Sequence, residues 1–270
     1  MNNYLSSASL KAQARGQLLG KYRAVIGIYL LHMLCTVPLM LTILSVTGAN
    51  SIAAILIYCA VSFLFELFAG FFAAGEAYVY LKVACNQMPF MGDLLHCFRE
   101  DASKVVHIQA VISAISIISA LPAMIVSYYM SKSLLGILLG VPSGSTADNG
   151  SAGFNMEVSA SLFLAYTILY LLGTVITILA RLLFSQVYYL MLDFPEYSAP
   201  QLLKTSVQLI KGSKGRLFYI WLSFIPLLAL GMLSFGIGLL WLLPYMEAVS
   251  ANFYLDLINK RGHASQDNLL

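Results

Sequence analysis

Long apolar stretches, interrupted by short polar and basic segments, dominate the chain. A membrane-spanning helix needs about 20 mostly apolar residues, and six stretches meet or nearly meet that length. They run over residues 24–46, 52–81, 107–130, 160–192, 217–234 and 237–258. The last two are divided at Phe235-Gly236, where Gly236 and Gly238 suit a tight turn. The competing five-helix reading joins them into one helix of about 40 residues. Such a helix would reach about 60 Å, twice the hydrocarbon thickness of a bilayer. The pattern therefore predicts an all-α, polytopic membrane helix bundle with about six transmembrane helices, forming one membrane domain.

Three shorter segments carry a different pattern. Over residues 10–22, Leu10, Ala14 and Leu18 recur every four positions, with Lys11 and Arg15 on a neighbouring face. Over 92–103, Leu94, Leu95 and Phe98 share a side, and Asp93 is placed to cap the helix. Over 198–211, Leu202, Leu203, Val207 and Ile210 form a stripe behind a Ser198 cap and Pro200. These read as amphipathic helices lying in the membrane interface, basic side chains toward anionic lipid headgroups. Each precedes two spans, and Pro38, Pro122 and Pro226 each fall in the span that follows one of them. The order reads as three helical-hairpin repeats; three unrelated connecting helices would give the same pattern.

Charge orients the bundle. With the N-terminus inside, the cytoplasmic segments hold Lys11, Arg15, Lys21, Arg23, Lys82, Arg99, Lys104, Lys204, Lys211, Lys214, Arg216, Lys260 and Arg261, while the outside holds Lys132: thirteen cations against one. Both termini are then cytoplasmic. The stretch after Arg23 is long enough to span and has no small-residue cleavage site, so it reads as a retained start-transfer helix. The longest outside segment, 131–159, is rich in Gly and Ser and reads as a loop. It carries the sequon Asn149-Gly150-Ser151, and its stretch 134–141 is too short to span.

Composition agrees with a membrane protein. Sixty per cent of residues are hydrophobic and ten per cent charged, against roughly 25% charged in soluble domains. The net charge of +3 is small and its cations are dispersed, which gives no support for nucleic-acid binding. Cys35, Cys59, Cys85 and Cys97 lack zinc-site spacing and read as free thiols.

Candidate chemistry rests on charge within the spans. Such charges cost roughly 2.5–3.5 kcal/mol each and usually face the bundle with partners. Counting depth from the cytoplasmic ends at about 1.5 Å per residue puts Arg181 and Glu247 level, Glu66 deeper and Glu76 shallower. Arg181 with Glu247 is the preferred pair, and Glu66 the next candidate. Arg181, Glu247, Glu66 and Glu76 together define a polar site for a cation, a proton or a headgroup between the second, fourth and sixth spans. An ion pair that only fixes helix register is the plainer alternative. His32 and Cys35, one turn apart, read as packing rather than a soft-metal site, because a third ligand is missing; His96-Cys97 reads the same way. No hydrolase elbow, paired-histidine zinc motif or phosphate-binding glycine loop occurs, so the sequence calls for no cofactor, no metal and no enzymatic activity.

The C-terminal third contains, in order, Asp193-Phe-Pro195, Ser206, Lys211-Gly212, Leu217-Phe218, Leu222-Ser-Phe224, Gly236-Ile-Gly-Leu-Leu-Trp241, Pro244-Tyr245 and Ala251-x-Phe253-Tyr254. Together with Leu10-Lys-Ala-Gln-Ala14-Arg15, Leu18 and Gly20-Lys-Tyr22 near the start, this series resembles the bacterial membrane family called domain of unknown function 975. The resemblance is dense at the two ends of the chain. Pro226 stands near the place of the family's tryptophan. The resemblance implies a bacterial cytoplasmic membrane protein, often from Gram-positive species, and brings no established activity or catalytic residues. The leading reading from all this is a non-enzymatic envelope protein that acts as a partner or accessory subunit of another membrane protein; the alternative is a small-solute or ion transporter or channel using the intramembrane charges.

Overall fold

The structure, a computed structural model, describes residues 4–45, 51–138 and 156–267. All regular elements among them are helical: α1 (Ser7–Leu18), α2 (Tyr22–Ser45), α3 (Ile52–Ala84), a 3-10 turn (Met91–Leu95), α4 (His96–Arg99), α5 (Ala102–Leu138), α6 (Met156–Phe184), α7 (Val187–Asp193), α8 (Ala199–Ile210), α9 (Lys214–Leu222), α10 (Ile225–Leu233) and α11 (Leu239–Asp267). Five stretches are long and apolar enough to cross a membrane: Tyr22–Leu41, Ile52–Ala84, Ala102–Met130, Ala160–Asp193 and Lys214–Leu233. The protein is a membrane-embedded helical bundle. Leu56, Leu64, Ile118, Phe163 and Leu171 are each more than half exposed, a surface that lipid covers and water would not tolerate in bulk.

Several elements differ from what the pattern predicts. The fourth span is broken at Ser185-Gln186 into α6 and α7, and the fifth at Ser223-Phe224 into α9 and α10. Pro226 lies in the first turn of α10, where a missing N–H costs nothing, so it starts the second piece of that span. α5 continues through residue 138, so most of the short stretch expected to lie outside a span is helix. The sequon 149–151 falls outside the described residues. α11 is long enough to cross, but Glu247, Asn252 and Asp256 make it more polar than the five.

Between α10 and α11 the chain turns as the glycines require. Gly236 N–H donates to Gly231 O at 3.1 Å, closing the six-residue ring of a Schellman cap. Phe235 and Gly236 take φ of 54° and 82°. The left-handed backbone is unstrained at Gly236; at Phe235 it carries a bulky side chain that stands in the open, 98% exposed.

The chain divides into two compact units. Unit 1 comprises Met1–Pro38, Leu67–Ala110 and Arg181–Leu270; unit 2 comprises Leu39–Glu66 and Val111–Ala180. In unit 2, α5 and α6 meet closely: Ser119 and Thr177 hydroxyls are 2.9 Å apart. A β-carbon on Gly173 would lie 2.5 Å from Ser119 O.

Unit 1 contains the connecting helices, and it covers their apolar faces with protein. Leu10, Ala14 and Leu18 are fully buried, and α1 packs along α11. The stripe that reads as lipid-facing is thus a protein contact. In α8 the buried face is Leu202, Ser206, Leu209 and Ile210. It is turned away from Leu203 and Val207 so that Ser206 Oγ can donate to Leu183 O at 2.9 Å. Ser198 N–H donates to Gln201 Oε1 at 2.9 Å and helps to close the helix start. The connecting segment over 92–103 is not one helix: it holds the 3-10 turn, α4 and the start of α5. Its Leu94 is buried while Leu95 is exposed. Asp93 lies inside the first turn, where it accepts from Phe90 N–H and from Lys82 Nζ at 2.9 Å.

Leu94 seats in a core with Ile28, Phe72 and Val79, flanked by Leu31, Cys35, Phe68 and Phe98. The approach of this segment to α3 is so tight that a β-carbon on Gly75 would lie 1.9 Å from Leu94 O. Only glycine fits there.

Candidate functional site

Within unit 1, α2 and α3 bring His32 and Glu76 together: His32 Nδ1 and Glu76 Oε1 share a hydrogen bond of 2.6 Å. Helical rise puts His32 about 15 Å from the start of α2 and Glu76 about 12 Å from the end of α3. The two residues thus face each other at similar depth along helices of opposite direction. Both are largely buried, 20% and 16% exposed. His32 is held flat against Phe72, with ring centroids 5.3 Å apart and 6° between planes. The same core that seats Leu94 therefore fixes the imidazole.

Glu247, on α11, lies within electrostatic reach of Glu76. Tyr29 on α2, Tyr80 on α3 and Tyr189 on α7 lie within reach of both carboxylates, and all three are buried. The His32–Glu76 pair therefore has a second carboxylate and three buried phenols within electrostatic reach of Glu76. Each of these groups can give up or take a proton.

The four residues singled out by charge alone separate here. Glu76 and Glu247 lie within electrostatic reach of each other. Arg181 is exposed in the last turn of α6, where a cation complements the helix dipole, and no ion pair among the described residues joins it to Glu247. Glu66 belongs to unit 2, where its Oε2 and Ser62 Oγ, one turn apart, are buried with no hydrogen-bond partner among the described residues. His32 is the member that sequence reading did not assign to the site. Its signal was the match in depth: ten residues into one helix, eight from the end of the next.

The other singled-out residues have structural roles. Cys35 packs on the Leu94 core. His96 stacks on Tyr78 at 4.1 Å and pairs with Glu100 at 3.2 Å. No cluster of three metal-ligating side chains occurs among the described residues.

At the end of unit 1 where α1 meets α11, the two stretches that carry the family resemblance touch. Arg15 Nε–H donates to Tyr245 Oη at 3.1 Å, and Lys11 Nζ donates to Ser223 Oγ at 2.7 Å while lying 4.2 Å from the centroid of Phe224. Tyr254 Oη donates to Asp193 Oδ2 at 2.6 Å and stacks on Tyr189. A family model described as "Protein of unknown function (DUF975)" matches residues 1–261. The chain belongs to the DUF975 family. That match takes in α1 and most of α11, so the Arg15–Tyr245 contact and the His32–Glu76 pair both lie inside the DUF975 region. No curated protein and no solved structure matches the chain.

Proposed function

We propose that this DUF975 protein is a non-enzymatic ion transporter whose proton-binding site is His32, Glu76 and Glu247. One observation carries the reading: the 2.6 Å His32–Glu76 hydrogen bond, set inside the bundle with a second carboxylate in reach. Ionisable groups at such depth are costly to insert and mark ion or proton pathways. An imidazole hydrogen-bonded to a carboxylate can take up and release a proton, so a proton is the simplest guest. A proton on His32 leaves Glu76 as its counter-ion; a proton passed on meets Glu247 and three phenols. This reading is favoured over the accessory-subunit one because it uses groups that packing alone does not require.

The test is proton flux into vesicles that carry the purified full chain and a trapped pH dye, driven by a valinomycin-set potassium gradient. The expected result is acidification faster than in protein-free vesicles, reduced at least roughly tenfold in Glu76→Gln, which keeps shape and removes charge. Flux equal to that of empty vesicles, or unchanged in both Glu76→Gln and His32→Gln, rejects the proposal.

We place the protein in a bacterial cytoplasmic membrane with both termini inside, on the strength of the thirteen-to-one charge bias. Two native thiols report on this. Cys85 is exposed and falls on the proposed inner side. Cys97 is buried, and burial, aided by Asp101 and Glu100, pushes its thiol up to about 12. An impermeant maleimide should leave Cys85 unlabelled in intact cells and label it in opened ones. Cys97 should react far more slowly than Cys85 until the protein is denatured, since it is buried and the thiolate is the nucleophile. Labelling of Cys85 in intact cells reverses the orientation, and equal rates in folded protein contradict the packing of Cys97.

A further inference from the structure

A groove of about 470 Å³ opens in unit 1 between α1, the start of α2, α10 and α11. Its lining is divided. Leu227, Leu230, Trp241 and Leu242 form an apolar trough, while Arg15, Tyr22 and Tyr245 stand at its polar end. Lys11 precedes Arg15 by one helical turn on α1, outside the groove's own lining, and donates to Ser223 Oγ. No ion pair with a carboxylate is made by Arg15 or Lys11 among the described residues; their polar contacts are the hydroxyls of Tyr245 and Ser223. Two cations one turn apart repel each other, and burial together with Arg15 lowers the pKa of Lys11. An anion seated between them would relieve both.

We infer that this groove binds one anionic phospholipid, its phosphate held by Arg15 and Lys11 and an acyl chain lying along Leu227, Leu230, Trp241 and Leu242. Charge complementarity selects the headgroup, since guanidinium is suited to phosphate oxygens. The apolar trough selects a lipid over a free anion. The Tyr22 hydroxyl supplies a donor at the level where chain gives way to headgroup, the place amphipathic rings favour, while Tyr245 Oη, which donates to Lys11 O at 3.3 Å, accepts from Arg15 and positions it. Support for this site comes from groups that the His32–Glu76 pair does not use.

Trp241 lies in the trough and can report on its contents. With Trp221→Phe as background, Trp241 is the remaining tryptophan of the two in the chain. The full chain is reconstituted in phosphatidylcholine vesicles containing a minor fraction of brominated lipid. Brominated phosphatidylglycerol should quench Trp241 roughly fivefold more effectively per mole than brominated phosphatidylcholine, the preference that one cation near a phosphate commonly gives. Arg15→Gln with Lys11→Gln should bring the ratio close to one, while Arg15→Lys should keep a preference. Equal quenching by the two lipids in the unsubstituted groove overturns the inference without recourse to any variant. So does a preference that millimolar inorganic phosphate abolishes, because the site would then recognise a free anion.

Discussion

Gly75→Ala is expected to lower the thermal midpoint of the purified protein sharply, and Gly75→Val to abolish recovery of monodisperse material. The argument is steric. An added β-carbon would stand 1.9 Å from Leu94 O, 2.7 Å from its carbonyl carbon and 3.0 Å from its Cα. All three are backbone atoms, so no side chain can swing aside. Overpacking of this kind costs about 1–3 kcal/mol where neighbours yield; a backbone neighbour puts alanine at about 3 kcal/mol. The damage should extend to the next residue, since the seat of Leu94 against Ile28, Phe72 and Val79 holds Glu76 opposite His32. Gly16→Ala is the control: its β-carbon would meet nothing within 4 Å, and alanine is the better helix former by about 1 kcal/mol. Melting curves for the two alanine variants decide the matter. If Gly75→Ala melts with the parent protein, the close approach of α3 to the 3-10 turn is wrong.

The second large effect is expected at Arg216 and Asp256. Arg216 Nη2 lies 2.7 Å from Asp256 Oδ2 and donates to Leu5 O at 2.5 Å, and its guanidinium packs 5.1 Å from the ring centroids of both Tyr4 and Phe253. Asp256 also accepts from Leu5 N–H at 3.4 Å. One ion pair thus ties α9, α11 and the residues leading into α1. Asp256 is 5% exposed and Arg216 19%, so removing either leaves the other charge largely shielded from water without its partner. That costs about 3 kcal/mol, the lower end for a buried pair. Asp256→Ala and Arg216→Ala should each destabilise by that order, and the double variant by clearly less than their sum, with a coupling of about 1–3 kcal/mol. Arg216→Lys should not recover the loss, because an ammonium cannot serve the carboxylate, the carbonyl and two ring faces at once. Chemical or thermal unfolding in detergent measures all four; strict additivity would mean that the pair stabilises nothing.

These contacts also show what the sequence could reveal. The four-residue spacing of Leu10, Ala14 and Leu18 marked the face of α1 that is buried, but lipid and protein are equally apolar, so periodicity could not tell that α11 covers it. Depth could be counted along each helix, and it placed Glu76 and Glu247 in the bundle. Rotation about the helix axis could not be counted across unknown neighbours, and rotation is what gives Glu76 to His32 and leaves Arg181 exposed. The break at Ser185-Gln186 has no proline or glycine to announce it, whereas the break before Pro226 does. Asp93 was recognised as a helix-start residue, but the segment winds as a 3-10 turn, which shifts its carboxylate from the cap into the first turn.

The contact between α1 and α11 has a consequence for how the protein is made. Arg15 and Tyr245 are 230 residues apart in the chain. At translation rates of roughly 5–20 residues per second, α1 waits about 10–50 s for the helix that covers Leu10, Ala14 and Leu18. During that interval an apolar helix face has no partner within its own chain, and premature termination before α11 would leave it so permanently. Biogenesis therefore demands that the insertion machinery, a chaperone or the lipid surface shelter α1 until the last helix arrives, and a nascent chain stalled before α11 should be a substrate for membrane proteases.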